Sequence, residues 1–145
     1  TIDRLIAKLE KHPEVFDPAV NPYAVRVVIT GSRPDPSAFG EFPHFISFDG
    51  FIDVEYTPEQ LERVALISEP FCRYAKWKGG PEPLPAQEKQ VIEQLIAKSH
   101  KAGKPIRFWC SPDNAVAWET FRKLGIDIIN TDQPEACTLY FQQNP

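Results

Sequence analysis

Apolar residues recur along this chain in alternating helical and strand-like blocks. Ile2, Leu5, Ile6 and Leu9 fall at helical spacing and predict a short amphipathic helix stopped by His12-Pro13. Pro18, Asn21 and Pro22 mark a loop, after which Val25-Arg26-Val27-Val28-Ile29-Thr30 is a β-branched run ended by Gly31, which predicts a strand buried on both faces. A Pro-rich loop from Ser32 to Pro43 leads to a second run, Phe45-Ile46-Ser47-Phe48, closed by the turn dipeptide Asp49-Gly50. Thr57-Pro58-Glu59-Gln60 supplies a cap hydroxyl, a first-turn proline and a reciprocal Gln, and predicts a helix to about Val64.

The stretch from Pro70 to Pro85, with Gly79, Gly80, Pro81 and Pro83 inside it, predicts a long loop of the kind that carries a role or moves. Val91, Ile92, Leu95 and Ile96 then mark a helix running from Pro85 and ended by Gly103. A third strand is predicted over Pro105-Ile106-Arg107-Phe108-Trp109-Cys110. Ser111-Pro112-Asp113-Asn114 caps a helix through Val116, Trp118, Phe121 and Leu124, which Gly125 closes. Asp127-Ile128-Ile129-Asn130 is the fourth predicted strand, and Asp132-Gln133-Pro134-Glu135 opens a last helix.

Apolar strands that alternate with helices imply parallel pairing with both faces covered, because a parallel neighbour needs a crossover connection. The fold class read from the pattern is α/β. Four strand-helix units fit either a small open sheet or one half of an eight-unit barrel of about 250 residues, and periodicity does not choose between them. No repeat of solenoid period is visible.

Composition narrows the function classes. The chain has 145 residues, 42% hydrophobic and 25% charged, enough for one core of ordinary size, and one domain is the expectation. A formal net charge of -4, with Lys and Arg scattered, argues against a sequence-independent grip on nucleic acid. No stretch approaches the roughly 20 apolar residues of a membrane-spanning helix. The chain opens on Thr1-Ile2-Asp3-Arg4 and contains no methionine, which leads to the expectation of an excised or processed segment, with any targeting signal upstream of it. Cys72, Cys110 and Cys137 are too few and too irregularly spaced for a disulfide framework or a zinc site, and any pairing would leave one over.

In either α/β architecture the ligand sits at the carboxyl ends of the strands. The residues there are Thr30 to Arg33, Asp49, Trp109 to Asp113, and Asn130 to Asp132. Alternation puts Arg107 with Trp109, Ser47 with Asp49, and Asn130 with Asp132 on common faces. An Arg107 inside a barrel calls for a carboxylate, and Asp49 and Asp132 are the expected partners. One reading is an anion-binding floor in which Arg33 and Arg107 offer forked donors, aided by the helix starts after Ser111 and Asp132. The other is purely structural: Asp113 and Asp132 as caps, Arg33 as a loop charge and Arg107 in an ion pair. His12, His44 and His100 are far apart, and none follows a strand end where a general acid or base is mounted. His100 reads as a cation at a helix C-terminus. No metal-ligand spacing is present, and Cys110 lacks a base to make it a nucleophile.

The last two units carry a resemblance. Gly103-Lys104-Pro105-Ile106-Arg107-Phe108-Trp109-Cys110-Ser111-Pro112-Asp113-Asn114, then Trp118, then Leu124-Gly125-Ile126-Asp127-Ile128-Ile129-Asn130-Thr131-Asp132-Gln133-Pro134 resembles the closing part of the phosphatidylinositol phospholipase C-like superfamily. In its glycerophosphodiester phosphodiesterases a strand ends in Trp-Thr-Val-Asn, followed by a helix and Gly-Val-Asp-Gly-Ile-Ile-Thr-Asp-x-Pro. Val25 to Pro34, Phe45 to Gly50, Tyr56 to Arg63 through Leu66-Ile67-Ser68, and Tyr74 to Trp77 are similar to a less studied bacterial branch of the same superfamily. The chain departs from the pattern at Cys110-Ser111-Pro112-Asp113, which bears on the headgroup accepted.

The resemblance implies that residues 1–145 form a single partial domain, the C-terminal half of a (β/α)8 TIM barrel of four βα units. It implies a phosphoric diester hydrolase acting on glycerophosphodiester or phosphoinositide-like substrates, in which this segment supplies one wall of the pocket. Arg33, Asp49, Arg107, Trp109, Asp113, Asn130 and Asp132 are then the substrate-binding candidates. The family's catalytic histidines and its Glu-x-Asp metal pair, for calcium or magnesium, belong to the other half, so no catalytic residue and no metal ligand is assigned here. The implied partners are an N-terminal half-barrel and a phosphodiester or lipid headgroup, in a secreted or periplasmic setting if a signal peptide lies upstream. A second reading is a non-catalytic half-barrel module that dimerises to cover its open edges. A third is a small open-sheet enzyme using Cys110.

Overall fold

The computed structural model describes residues 2–145 and shows an α/β protein. Its chain is organised as two compact units, one of Thr1–Asp49 with Glu55–Ala65 and one of Gly50–Val54 with Leu66–Pro145. In the first unit, helix α1 (Ile2–Leu9) coincides with the predicted amphipathic segment and is followed by a turn of helix, α2 (Pro13–Phe16). Strand β1 (Val27–Ile29) pairs in parallel with β2 (Ile46–Gly50), with Ile29 opposite Phe48. The sequence predicts β1 buried on both faces; all three of its residues are instead only half-buried.

The Pro-rich connection between them is not featureless. Asp35 caps a 3-10 helix over Pro36–Glu41 by accepting the Ser37 amide, which carries Phe39 into the core. Phe39 stacks on Phe48 with ring centroids 4.1 Å apart, and Phe42 meets Phe48 edge-on at 5.4 Å. Helix α3 (Pro58–Arg63) opens on the capping box read from the sequence, with Thr57 and Gln60 exchanging side-chain and backbone bonds. Its last residue, Arg63, donates to the carbonyls of Phe42, Pro43 and Ile46, and so fixes the helix end to the start of β2. Burial holds the Arg63 guanidinium below its ordinary pKa.

The predicted helix gives way at Val64 to a strand that the pattern does not announce, β3 (Val64–Pro70), and the chain passes from the first unit into the second within it. The described residues thus hold five strands where four are expected. In the second unit β3 pairs with β4 (Ile106–Trp109), and β4 with β5 (Ile128–Ile129), both in parallel. The register sets Ser68 opposite Arg107 and Pro70 opposite Trp109. The predicted long loop begins with a helical turn, α4 (Phe71–Tyr74), whose Phe71 meets Phe108 and Phe121 edge-on. Helix α5 (Ala86–Lys101) buries Ile92 and Ile96, and α6 (Ala115–Leu124) buries Ala117, Trp118 and Phe121. Gly125, at φ 82°, closes α6 in the left-handed conformation that glycine adopts at least cost. Helix α7 (Pro134–Gln143) ends the described chain, and no helix among the described residues is long and apolar enough to cross a membrane.

Candidate functional site

The candidates fall in both units, and each group is built by its own strands. In the first, Asp49 leaves the end of β2 and accepts from Arg33 Nη1 at 2.8 Å. Their side chains are 10% and 7% exposed, so Arg33 is neither a loop charge nor an idle donor: it belongs to a largely buried ion pair.

In the second unit β4 alternates as expected. Ile106 and Phe108 are buried, Arg107 is half-buried on the opposite face, and Trp109 is 44% exposed. Arg107 Nε and Nη2 both donate to Ser68 Oγ, at 3.2 and 2.8 Å. The partner is therefore a buried hydroxyl, where the sequence suggests Asp49 or Asp132, and Arg107 makes no ion pair among the described residues. The physical reason is register: parallel pairing puts Ser68 directly across from Arg107 on the same face.

Asp113 holds the ends of β4 and β5 together. Its carboxylate accepts the Trp118 indole N–H and the Asp132 amide, both at 2.8 Å, and its carbonyl accepts the Gln133 side-chain amide at 3.0 Å. Burial pushes its pKa up, but hydrogen bonds from Thr131, Asp132, Trp118 and Gln133 outweigh that and hold it below the usual value. The cap of α6 is Asn114, which accepts the Ala117 amide, so Asp113 ties the loops and does not cap. Asp132 is exposed and Asn130 half-buried; Gln133, not Asp132, occupies the cap position of α7. The three histidines each face a carboxylate: His12 with Glu14, His44 with Asp17 and His100 with Asp127. Among the described residues no group of three or more His, Cys, Asp or Glu side chains could hold a metal ion.

Two features escape the sequence reading. Glu69, on β3 and 1% exposed, accepts the Ile52 amide at 2.7 Å and the Tyr74 hydroxyl at 2.8 Å. It was invisible because its strand was; the run Val64 to Ile67 followed by Ser68-Glu69-Pro70 was the available signal. Burial, reinforced by the adjacent Glu69, pushes the Tyr74 phenol up to about 12. A raised phenol favours the folded state fully below the ordinary value near 10 and loses that contribution as pH rises toward 12. An alkaline absorbance titration should show a phenol ionising near 12, and Tyr74→Phe should remove that phase.

The second feature is a disulfide. Cys72 of α4 and Cys110, just past β4, are joined with Cα atoms 5.6 Å apart, a single bond where the irregular spacing of the cysteines offers no disulfide framework. Sequence spacing hides the pair because parallel register, not proximity in the chain, brings them together. Cys137 is the one left over, and it is buried. In this state Cys110 carries no thiolate, so it cannot act as a nucleophile.

No family model, curated protein or solved structure matches the chain.

Proposed function

We propose that this chain is the C-terminal half of a TIM-barrel phosphodiesterase of the phospholipase C-like type, and that its part is to bind the phosphodiester through Arg107. The observation that carries the reading is a half-buried guanidinium that meets no anion among the described residues. Arg107 spends Nε and Nη2 on a neutral hydroxyl, and its Nη1 donates to no group among the described residues. A cation withdrawn from water in this way is stabilised by an anionic partner, and a phosphate oxygen fits the fork. Trp109, on the same face at the strand end, offers a flat apolar surface beside it.

The residues of this chain then bind and orient; proton transfer and any calcium or magnesium belong to the half-barrel that the resemblance assigns elsewhere. Ser68 fixes the plane of the guanidinium, and Asp113 holds the loop beyond Trp109.

The test is an NMR titration with inorganic phosphate and with glycerophosphocholine, following the Arg107 side-chain N–H signals. Arg107→Gln is expected to weaken binding of both by about tenfold, the scale of a charge-assisted hydrogen bond. Equal affinity in the variant would overturn the assignment. Hydrolysis of bis-p-nitrophenyl phosphate by this chain alone, with calcium or magnesium, would overturn the division of labour.

A further inference from the structure

We propose that Cys72–Cys110 is a thiol-exchange site for small dithiols, and that its redox state sets the conformation of the turn after Trp109 and so the affinity of the anion site. The second clause rests on the reading of Arg107 given above.

Three observations converge on it. Both cysteines are exposed residues, and they line a cavity of about 160 Å³ together with Trp77, Lys78, Ser111 and Pro112. A thiol reagent thus has access, and the Lys78 cation on the same cavity favours thiolate as the leaving group. Second, Cys110 sits at φ 54°, and no other non-glycine residue described has a positive φ. A side chain rarely adopts that conformation unless something holds it, and the bond to Cys72 is the covalent restraint at this position.

Third, the two cysteine-bearing segments are docked independently of the bond. Phe71 is buried between Phe108 and Phe121, and a Cβ on Gly79 would lie 2.8 Å from Pro112 Cβ and from Asn114 Nδ2. Reduction therefore leaves α4 and the Ser111–Asn114 loop in place, with the two sulfurs still neighbours and ready to re-form the bond. What it frees is the backbone of Cys110 and, one residue before it, Trp109.

The exchange balances without any further reagent. One thiolate of the dithiol attacks a sulfur of the pair, forming a mixed disulfide and expelling the other protein sulfur as a thiolate. The second thiolate of the reagent closes on the first, which leaves as a cyclic disulfide. The protein gains two electrons and, after protonation, two thiols.

The test combines native thiol counting with the indole N–H signals of the three tryptophans, before and after dithiothreitol. Native accessible thiols are expected to rise from none to two, Cys137 being buried, with the circular dichroism unchanged. The Trp109 indole signal should shift. Those of Trp77 and Trp118, whose indoles donate to the Glu82 carbonyl and to Asp113, should stay. Cys72→Ala should reproduce the reduced spectrum, and phosphate affinity should change at least threefold.

No thiol release under native conditions, release only with unfolding, or an unmoved Trp109 signal overturns the exchange device. Phosphate binding that is identical in both states overturns its coupling to the site. A protein that binds phosphate in neither state fails the Arg107 reading instead, while the thiol and indole results still decide whether the exchange device exists.

Discussion

Alanine in place of Phe48 is expected to destabilise the first unit by about 3–5 kcal/mol, the range for removing a fully buried aromatic ring from a core. Phe48 is 0% exposed, and its ring is the centre of that unit's aromatic cluster, stacked against Phe39 and met edge-on by Phe42. Each such pair adds about 0.5–1.5 kcal/mol beyond area burial, so the loss exceeds that of an isolated core phenylalanine of the same exposure. Leucine at the same position keeps most of the volume and should cost roughly half as much. Chemical denaturation of both variants measures this, with the unfolding slope confirming a single transition. A loss below about 1 kcal/mol for alanine would mean that Phe39 and Phe42 close over the space, contrary to the packing described.

Glu69→Ala is expected to cost about 2–4 kcal/mol, although it removes a carboxylate that is itself expensive to bury. The balance falls on the destabilising side because two donors are left behind: the Ile52 amide, and the Tyr74 hydroxyl, both of which point at Glu69. Glu69→Gln retains an acceptor for the amide and should lose less than half as much. The same alanine variant removes one of the causes that raise the Tyr74 phenol, so its ionisation should fall from about 12 toward the ordinary value. Calorimetry and the alkaline absorbance titration thus read one interaction from two sides. A variant that loses stability with the Tyr74 phase unmoved would show that Glu69 acts through the Ile52 amide alone.

How much of this was legible in the sequence varies with the kind of signal. Some capping and termination signals are legible because they are local: Thr57 with Gln60, Pro58 at the first turn, and Gly125 at φ 82° act within a few residues of themselves, whereas Asp113 and Asp132 have the right residue type for caps but do not cap. β4 was legible for the same reason, its alternation surviving as buried Ile106 and Phe108 against Arg107 and Trp109. β3 was not, because no glycine or proline separates Arg63 from Val64 and the helical pattern runs straight into the apolar run. Missing that strand hid three things at once: Ser68 as the partner of Arg107, Glu69 as an internal acceptor, and the closeness of Cys72 to Cys110. The first and the last are products of the parallel register of β3 and β4, which links residues 38 positions apart in the case of the disulfide. The charge pairing of Arg33 with Asp49 is half legible: the strand ends mark each as a site residue, but nothing local joins one to the other.

The path of the chain between the two units bears on how the protein could be divided. Residues 50–54 belong with the second unit while 55–65 return to the first, so no single cut separates them. A fragment beginning at residue 66 would lack Ile52, whose amide Glu69 accepts, and would leave one oxygen of that buried carboxylate without its donor while Tyr74 still serves the other. A split-reporter design would need its break inside one unit's exposed loop, such as residues 81–83, where cutting leaves the Ile52 to Glu69 bond intact. Complementation between separately expressed pieces is thus set by one short excursion of five residues and not by the larger boundary at β3.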